Sequence, residues 1–185
     1  MTTGALLVIQ IMSRPLLSPF ASHFLFAHQF QGKSNDCGPY SAAIAIYALT
    51  GFFISGQQIA QETNRNFLGK QPPFLNRIPY NLTFPWGMIA ILNEYHCYAS
   101  WFVLYEEKKL INELQQPQVI LVIYGQWLPL WAHYAVLAAY HEKLGYGLIN
   151  PSLPSARIEW IPRSKFLSQW HSFGSMVIIA QKHPY

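Results

Sequence analysis

Residues 118–124 constrain this chain most. Val119-Ile120-Leu121-Val122-Ile123 is an unbroken apolar run bracketed by Gln118 and Tyr124. Without polar alternation, such a run reads as a central strand buried on both faces. Helical patterns precede it and strand patterns dominate after it. That order defines an α+β fold, with N-terminal helices packed on a largely antiparallel sheet drawn from the C-terminal half.

The helical part opens on a polar loop, Gln31-Gly32-Lys33-Ser34-Asn35-Asp36, that becomes a helix at Cys37 and stops at Gly51. Pro39 suits its first turn, where a missing N–H costs nothing. Ser55-Gly56-Gln57-Gln58 resembles a capping box opening a helix over about 56–67. A proline-bearing loop over 69–82 follows, with Pro72-Pro73. A third helix over about 84–95 then starts from Thr83 as N-cap, its core face read as Trp86, Ile89, Ala90 and Leu92. Ahead of the Gln31 loop, Phe24-Leu25-Phe26-Ala27 reads as a short strand.

In the second half, 99–105 reads as an aromatic strand and 106–115 as a helix with acids at its N-terminus. Residues 127–131 form an aromatic loop. Strands over 133–140 and 145–150 are joined by the polar turn His141-Glu142-Lys143-Leu144, where His141 is read as solvated. A short helix over 162–170, with Phe166 and Trp170 on one face, precedes a last strand over 176–181.

Composition narrows the function classes. With 185 residues, 51% apolar and 11% charged, the chain builds one sizeable core and is not disordered. Net charge is +4, yet only Lys108-Lys109 cluster among the basic residues, so no nucleic-acid footprint is present. No apolar stretch reaches the roughly 18 residues of a spanning helix. Residues 5–12 are apolar but short and lack a preceding basic residue, a poor export signal. The chain divides into an apolar extension, 1–27, serving as export signal, propeptide or strand, and a domain over 28–185. A cytoplasmic location is expected, with secretion as the alternative.

Cys37 and Cys97 are the two cysteines. They make neither a disulfide framework nor a metal-binding spacing, and no metal or other cofactor is expected. Cys97 follows His96 past a helix end and reads as structural. Cys37 differs. A cysteine at a helix N-terminus meets the positive end of the dipole and unpaired N–H groups, which favour the nucleophilic thiolate. Gln31, six residues upstream, is close enough to bring an amide donor to an oxyanion beside the Cys37 backbone N–H.

A nucleophilic cysteine works with an imidazole held by a third polar group. His133 opens an apolar strand and Asn150 ends the returning one. They face each other if the turn centres near His141-Glu142. Read singly, each residue has a structural alternative: a buried cysteine, a strand histidine bonded to backbone, an asparagine before a proline. Tyr124, Trp127 and Trp131 read as cover for the core, or alternatively Trp127 and Trp131, with Asp36 beside Cys37, as a substrate-groove wall.

Gln31, Asp36-Cys37-Gly38-Pro39, Ala132-His133-Tyr134 and Ile149-Asn150-Pro151 together resemble the papain-like cysteine peptidases. They are most similar to the bacteriocin-processing branch and its stand-alone relatives, over about 29–181. The resemblance implies the papain-like fold, with Cys37 as nucleophile, His133 as general base and then acid, Asn150 orienting the ring and Gln31 donating to the oxyanion. It implies amide hydrolysis on a peptide or protein substrate. Bacteriocin-processing members commonly carry Asp where this chain has Asn150, so the basicity of His133 is expected to differ. They also carry a fused transporter that these residues lack, which weighs against double-glycine leader cleavage. Three other readings stand beside hydrolysis: acyl transfer on the same scaffold, a toxin-like effector protease and a non-catalytic binding module. Oligomeric state is not legible in the sequence.

Overall fold

The computed structural model describes residues 14–69, 75–104 and 106–183. The apolar segment 5–12, the Pro72-Pro73 pair and Tyr105 lie outside the described residues. In chain order the elements are β1 (Leu16–Leu17), α1 (Ala21–Phe26), α2 (Cys37–Thr50), α3 (Gly56–Arg65), β2 (Arg77–Ile78), β3 (Leu82–Thr83) and α4 (Pro85–Glu94). Then follow β4 (Cys97–Val103), α5 (Glu107–Leu114), β5 (Val119–Trp127), β6 (Leu130–His141), β7 (Gly145–Ile149), β8 (Glu159–Ile161), α6 (Arg163–Ser172) and β9 (Met176–Lys182).

The apolar run becomes β5, inside a seven-stranded sheet of order β4-β9-β5-β6-β7-β8, with β1 pairing the far end of β6. Every pairing is antiparallel. Alternation divides β5 between two cores. Val119, Leu121 and Ile123 join α2 and α4 on one face; Ile120, Val122 and Tyr124 meet Leu110 and Leu114 of α5 and Phe166 and Trp170 of α6 on the other. That double cover is why the strand needs no polar positions.

Helix α2 is itself a core element. Ten of its fourteen residues are buried, as expected of a helix apolar on all sides. Its alanines let it lie close to the sheet, and Gly51 ends it at φ 75°, a left-handed cap that glycine adopts without strain. A helix clamped along its whole length holds its first residue, Cys37, with little freedom.

Local signals were overridden in several places. Residues 24–26 are helical, in α1, because Phe24 buries against the main core from a helix end rather than a strand. Helix α4 starts one residue later than expected, with Pro85 at N1 and Phe84 at the cap, because Thr83 pairs with Arg77 in the β2–β3 hairpin. Its buried face is Gly87, Met88, Ile91 and Leu92, while Ala90 is exposed. Gly87 fixes that face: a Cβ there would lie 2.1 Å from the Asn76 carbonyl oxygen. His141 is buried, at 8% exposure, and its Nδ1 accepts from the Lys143 and Leu144 N–H groups at 3.1 and 3.2 Å. It builds the turn rather than decorating it.

A polar clasp joins the helices on the second face. Glu107 of α5 accepts from the Tyr146 hydroxyl of β7 at 2.8 Å and pairs with Arg163 of α6. The Arg163 bonds hold the Glu107 carboxyl below the usual carboxylate range against a partly opposing effect of burial. A carboxyl depressed in the fold stabilises above its unfolded pKa, and the gain is lost as pH falls through the folded value. Glu107→Gln is therefore expected to flatten the acid side of stability. Urea midpoints between about pH 5 and pH 3 should fall less steeply for the variant than for the wild type; parallel slopes would contradict this.

Candidate active site

Cys37 is the first residue of α2, and three sets of contacts fix where it sits. The Ser41 hydroxyl donates to the Tyr134 carbonyl at 3.2 Å, and the Tyr134 hydroxyl donates to the Thr83 carbonyl at 3.1 Å. These bonds tie the first turns of α2 and the end of β3 to β6, at the residue after His133. At Gly38 a Cβ would lie 3.0 Å from Met88 Sδ and 3.1 Å from Thr83, so the helix start is pressed against its neighbours. Beneath it, the buried Arg77 guanidinium bonds the Asp36 carboxylate, the Thr83 hydroxyl and, at 2.7 Å, Asn64 Oδ1.

Asp36 is thus drawn to Arg77 and is not among the residues lining the cleft, contrary to its expected place in the groove wall. The same bond leaves the α2 N-terminus without a side-chain cap, so its N–H groups stay available at Cys37.

His133 lies near the start of β6, with its ring edge-on to Tyr124 at 5.7 Å. Its Nε2 is 2.7 Å from Asn150 Oδ1. The two do not meet as a direct cross-strand pair. Val136 pairs with Ile149, and a bulge near Ala138 shifts the register, so the turn centres on Lys143 rather than near His141-Glu142. Asn150 is level with Ala135, diagonal to His133 on the same side, and within reach of its ring.

The hydrogen bonds around Asn150 fix both its amide and the imidazole tautomer. Its Nδ2 donates to Glu159 Oε2 at 2.7 Å, and its Oδ1 accepts from the Ser152 N–H at 2.9 Å. A carboxylate only accepts and an N–H only donates, so the amide cannot be flipped. Oδ1 therefore faces Nε2, which carries the proton, and Nδ1 is left with the free lone pair.

The Gln31 loop docks on the same segment, its N–H donating to the Pro151 carbonyl at 2.9 Å. Gln31 Nε2 donates to Ser34 O at 2.7 Å, which engages one of its two hydrogens; Oε1 is buried without a partner. Gln31, Cys37 and His133 all line one cavity of about 520 Å³. Trp127, Leu130, Trp131 and Phe173 form an apolar wall of it, with Trp127 stacked on Phe173 at 5.3 Å. The structure therefore brings Gln31, Cys37, His133, Trp127 and Trp131 to one cleft, with Asn150 behind His133.

Burial is the leading influence on both reactive groups. It lifts the Cys37 thiol above its ordinary range, although N–H groups of Tyr134 and Gly38 and the Arg77 charge pull the other way. It lowers His133, although the Asn150 bond and the Glu159 charge oppose it. Burial thus opposes charge on both side chains, against the thiolate-favouring pull of the helix N-terminus. Cys97 is fully buried and its thiol is pushed up to about 11, which makes it inert near neutral pH. Among the described residues, no group of three or more His, Cys, Asp or Glu side chains is placed to hold a metal ion. None of the described helices is long and apolar enough to cross a membrane.

Three residues of the site escaped the sequence reading: Arg77, Ser152 and Glu159. Arg77 gave no sign, because its partner Asp36 is 41 residues away. Glu159 left a faint one, an acid inside the apolar stretch Ile158-Glu159-Trp160-Ile161 of a chain with eight acids in all.

A helix bearing a cysteine at its start, packed on an antiparallel sheet bearing a histidine and an asparagine, is the papain-like cysteine peptidase fold. Solved structures of C39-type peptidases share it. A C39-like peptidase from Bacillus anthracis superposes with TM-score 0.67 at 15% identity, over 92% of this chain and all of that one. The peptidase domain of Streptococcus ComA, a bifunctional ABC transporter involved in quorum sensing, gives 0.56 at 20% identity over 83% of this chain and 96% of its own. A double-glycine motif protease from an AMS/PCAT transporter, solved with its leader peptide, gives 0.53 at 15% identity over 95% and 96%. No protein-family profile and no curated sequence matches the chain.

Proposed function

We propose that this protein hydrolyses peptide bonds through a thioester on Cys37. The observation that carries this reading is the convergence of Gln31, Cys37 and His133 on one cavity, with His133 held by Asn150 at 2.7 Å. Cys37 Sγ attacks the scissile carbonyl carbon as His133 Nδ1 takes the thiol proton. The Cys37 backbone N–H and the second hydrogen of Gln31 Nε2 donate to the oxyanion. The tetrahedral adduct collapses to the thioester while the imidazolium returns the proton to the leaving amine. Water, deprotonated by His133, then cleaves the thioester and regenerates the thiol.

Burial, which disfavours both the thiolate and the imidazolium, suits this sequence. The proton moves only when substrate carbonyl and donors are in place, so the buried charges form together. The apolar wall of Trp127, Leu130 and Phe173 favours a peptide with hydrophobic side chains on that side. The neighbour solved in complex with its leader peptide supports a peptide as the class of substrate.

A peptide-derived electrophile, such as a peptidyl vinyl sulfone with apolar side chains, tests the reading. It is expected to add once per chain, at Cys37 and not at Cys97, and His133→Ala should slow the addition at pH 7 by about 10²-fold or more. Equal labelling of both cysteines, or indifference to His133, would refute it.

A further inference from the structure

Resting on that reading, we infer that Glu159 is a positioning residue of the site, the outer member of a chain Glu159–Asn150–His133. It supplies from one residue further out the negative charge that Asn150 itself does not carry.

The argument starts from what each group can do. Asn150 is neutral and can orient an imidazole, but it cannot offset a positive charge on it. Its amide is 8% exposed and is bonded on both sides. The Glu159 carboxylate accepts from Nδ2 at 2.7 Å, and this polarises the amide so that Oδ1 becomes a stronger acceptor for the His133 Nε2–H. Glu159 also lies close enough to act on the ring directly, raising its basicity against the lowering effect of burial.

The placement is built rather than incidental. Glu159 opens β8, paired with Leu148 of β7 two residues before Asn150. A sheet register thus sets the distance between carboxylate and amide. Without that acceptor, Nδ2 would face a cavity of about 410 Å³ lined by His133, Asn150, Glu159 and Lys165. The other groups around the imidazole are accounted for. The Tyr124 hydroxyl is held neutral by burial. The Ser152 hydroxyl is 3.5 Å from Nε2, and His28 Nε2 contacts the Asn150 carbonyl oxygen at 3.2 Å. Lys165, from α6, is the cation sharing that cavity with Glu159, and Cys37 is the group from α2.

The test uses two readouts on the full chain: the NMR titration of the His133 ring, assigned by its loss in His133→Gln, and the rate of Cys37 alkylation by iodoacetamide at pH 7. Glu159→Gln is expected to move the His133 midpoint to lower pH by about one unit and to slow alkylation by about tenfold. Glu159→Asp should lie between the two. Asn150→Asp alone places two carboxylates in contact, which share one proton. The double variant Asn150→Asp/Glu159→Gln, with one charge and one amide exchanged in place, should return both readouts at least to wild type.

If Glu159→Gln slows alkylation without moving the His133 midpoint, or if the exchanged double variant stays as slow as Glu159→Gln, the charge role is overturned. If His133→Ala slows alkylation while Glu159→Gln changes neither readout, only this inference fails. If His133→Ala itself leaves alkylation unchanged, the triad and this inference fall together.

Discussion

Cys37→Ala should abolish peptide hydrolysis, and His133→Ala should lower kcat/KM by about 10⁴-fold, with both proteins still folded. In the proposed mechanism no thioester forms without Sγ, and no second cysteine lines the cleft. Cys97 is fully buried, is not among the residues lining the cavity, and has its thiol pushed up to about 11. Without the imidazole, a thiol lifted by burial has no acceptor for its proton. The two losses should not add, because in the proposed mechanism both residues act in one proton transfer. Each side chain is only partly buried, so removing it costs little packing, and thermal midpoints should stay within a few degrees of wild type. Assays of kcat/KM on a fluorogenic peptide, beside melting curves, check both statements. Retained hydrolysis in Cys37→Ala would remove the nucleophile from the account.

Arg77→Met should produce the largest loss of stability of any single polar change. The guanidinium is 1% exposed and gathers Asp36, Thr83 and Asn64 under the start of α2. Removing it strands a carboxylate that is itself 16% exposed. Breaking a buried pair from one side costs about 3–5 kcal/mol. For a domain of this size that corresponds to a fall in Tm of about 10 °C. Asp36→Asn added to Arg77→Met should recover a large part of it, since the stranded charge is then gone. The change should also reach the chemistry, because the Arg77 charge is one of the influences drawing the Cys37 thiol down. Alkylation of Cys37 in Arg77→Met should slow even at temperatures where the variant is fully folded. A melting point within two degrees of wild type would show that the cluster is not holding the helix start.

Much of the fold could be read from residues whose local pattern and tertiary role agree. The run 119–123 has one structural use, a strand covered on both faces, and it takes that place. Helix α2 carries a start signal, a continuous apolar body and a glycine stop, all of which the packing uses. The antiparallel hairpin β6–β7 follows from two apolar strands around a polar turn. Residues 24–27 were misread because four apolar residues carry no period of their own, and only the packing of Phe24 chooses helix. The face of α4 was misread for a similar reason: with apolar residues nearly all round, its orientation is decided by how close Gly87 can come to Asn76.

The candidate site divides along the same line. The order and spacing of Gln31, Cys37, His133 and Asn150 point to one site, and the fold does bring these four side chains together. For Asp36 the sequence offers only its neighbour Cys37, which points to the groove. Its true partner, Arg77, comes from β2. The balance of influences on the Cys37 thiol is also out of reach of the sequence. A helix N-terminus argues for thiolate, but the opposing effect is burial, and burial belongs to the assembled fold.

The most direct test of the central claim is to trap the thioester. The protein is mixed with a peptide ester bearing apolar residues, quenched in acid within one turnover, and its intact mass measured before peptide mapping. The account predicts an added mass equal to the acyl portion, located on Cys37, absent from Cys37→Ala and longer-lived when the water step is slowed. Turnover of the ester with no adduct at Cys37, or an adduct on another residue, would contradict it.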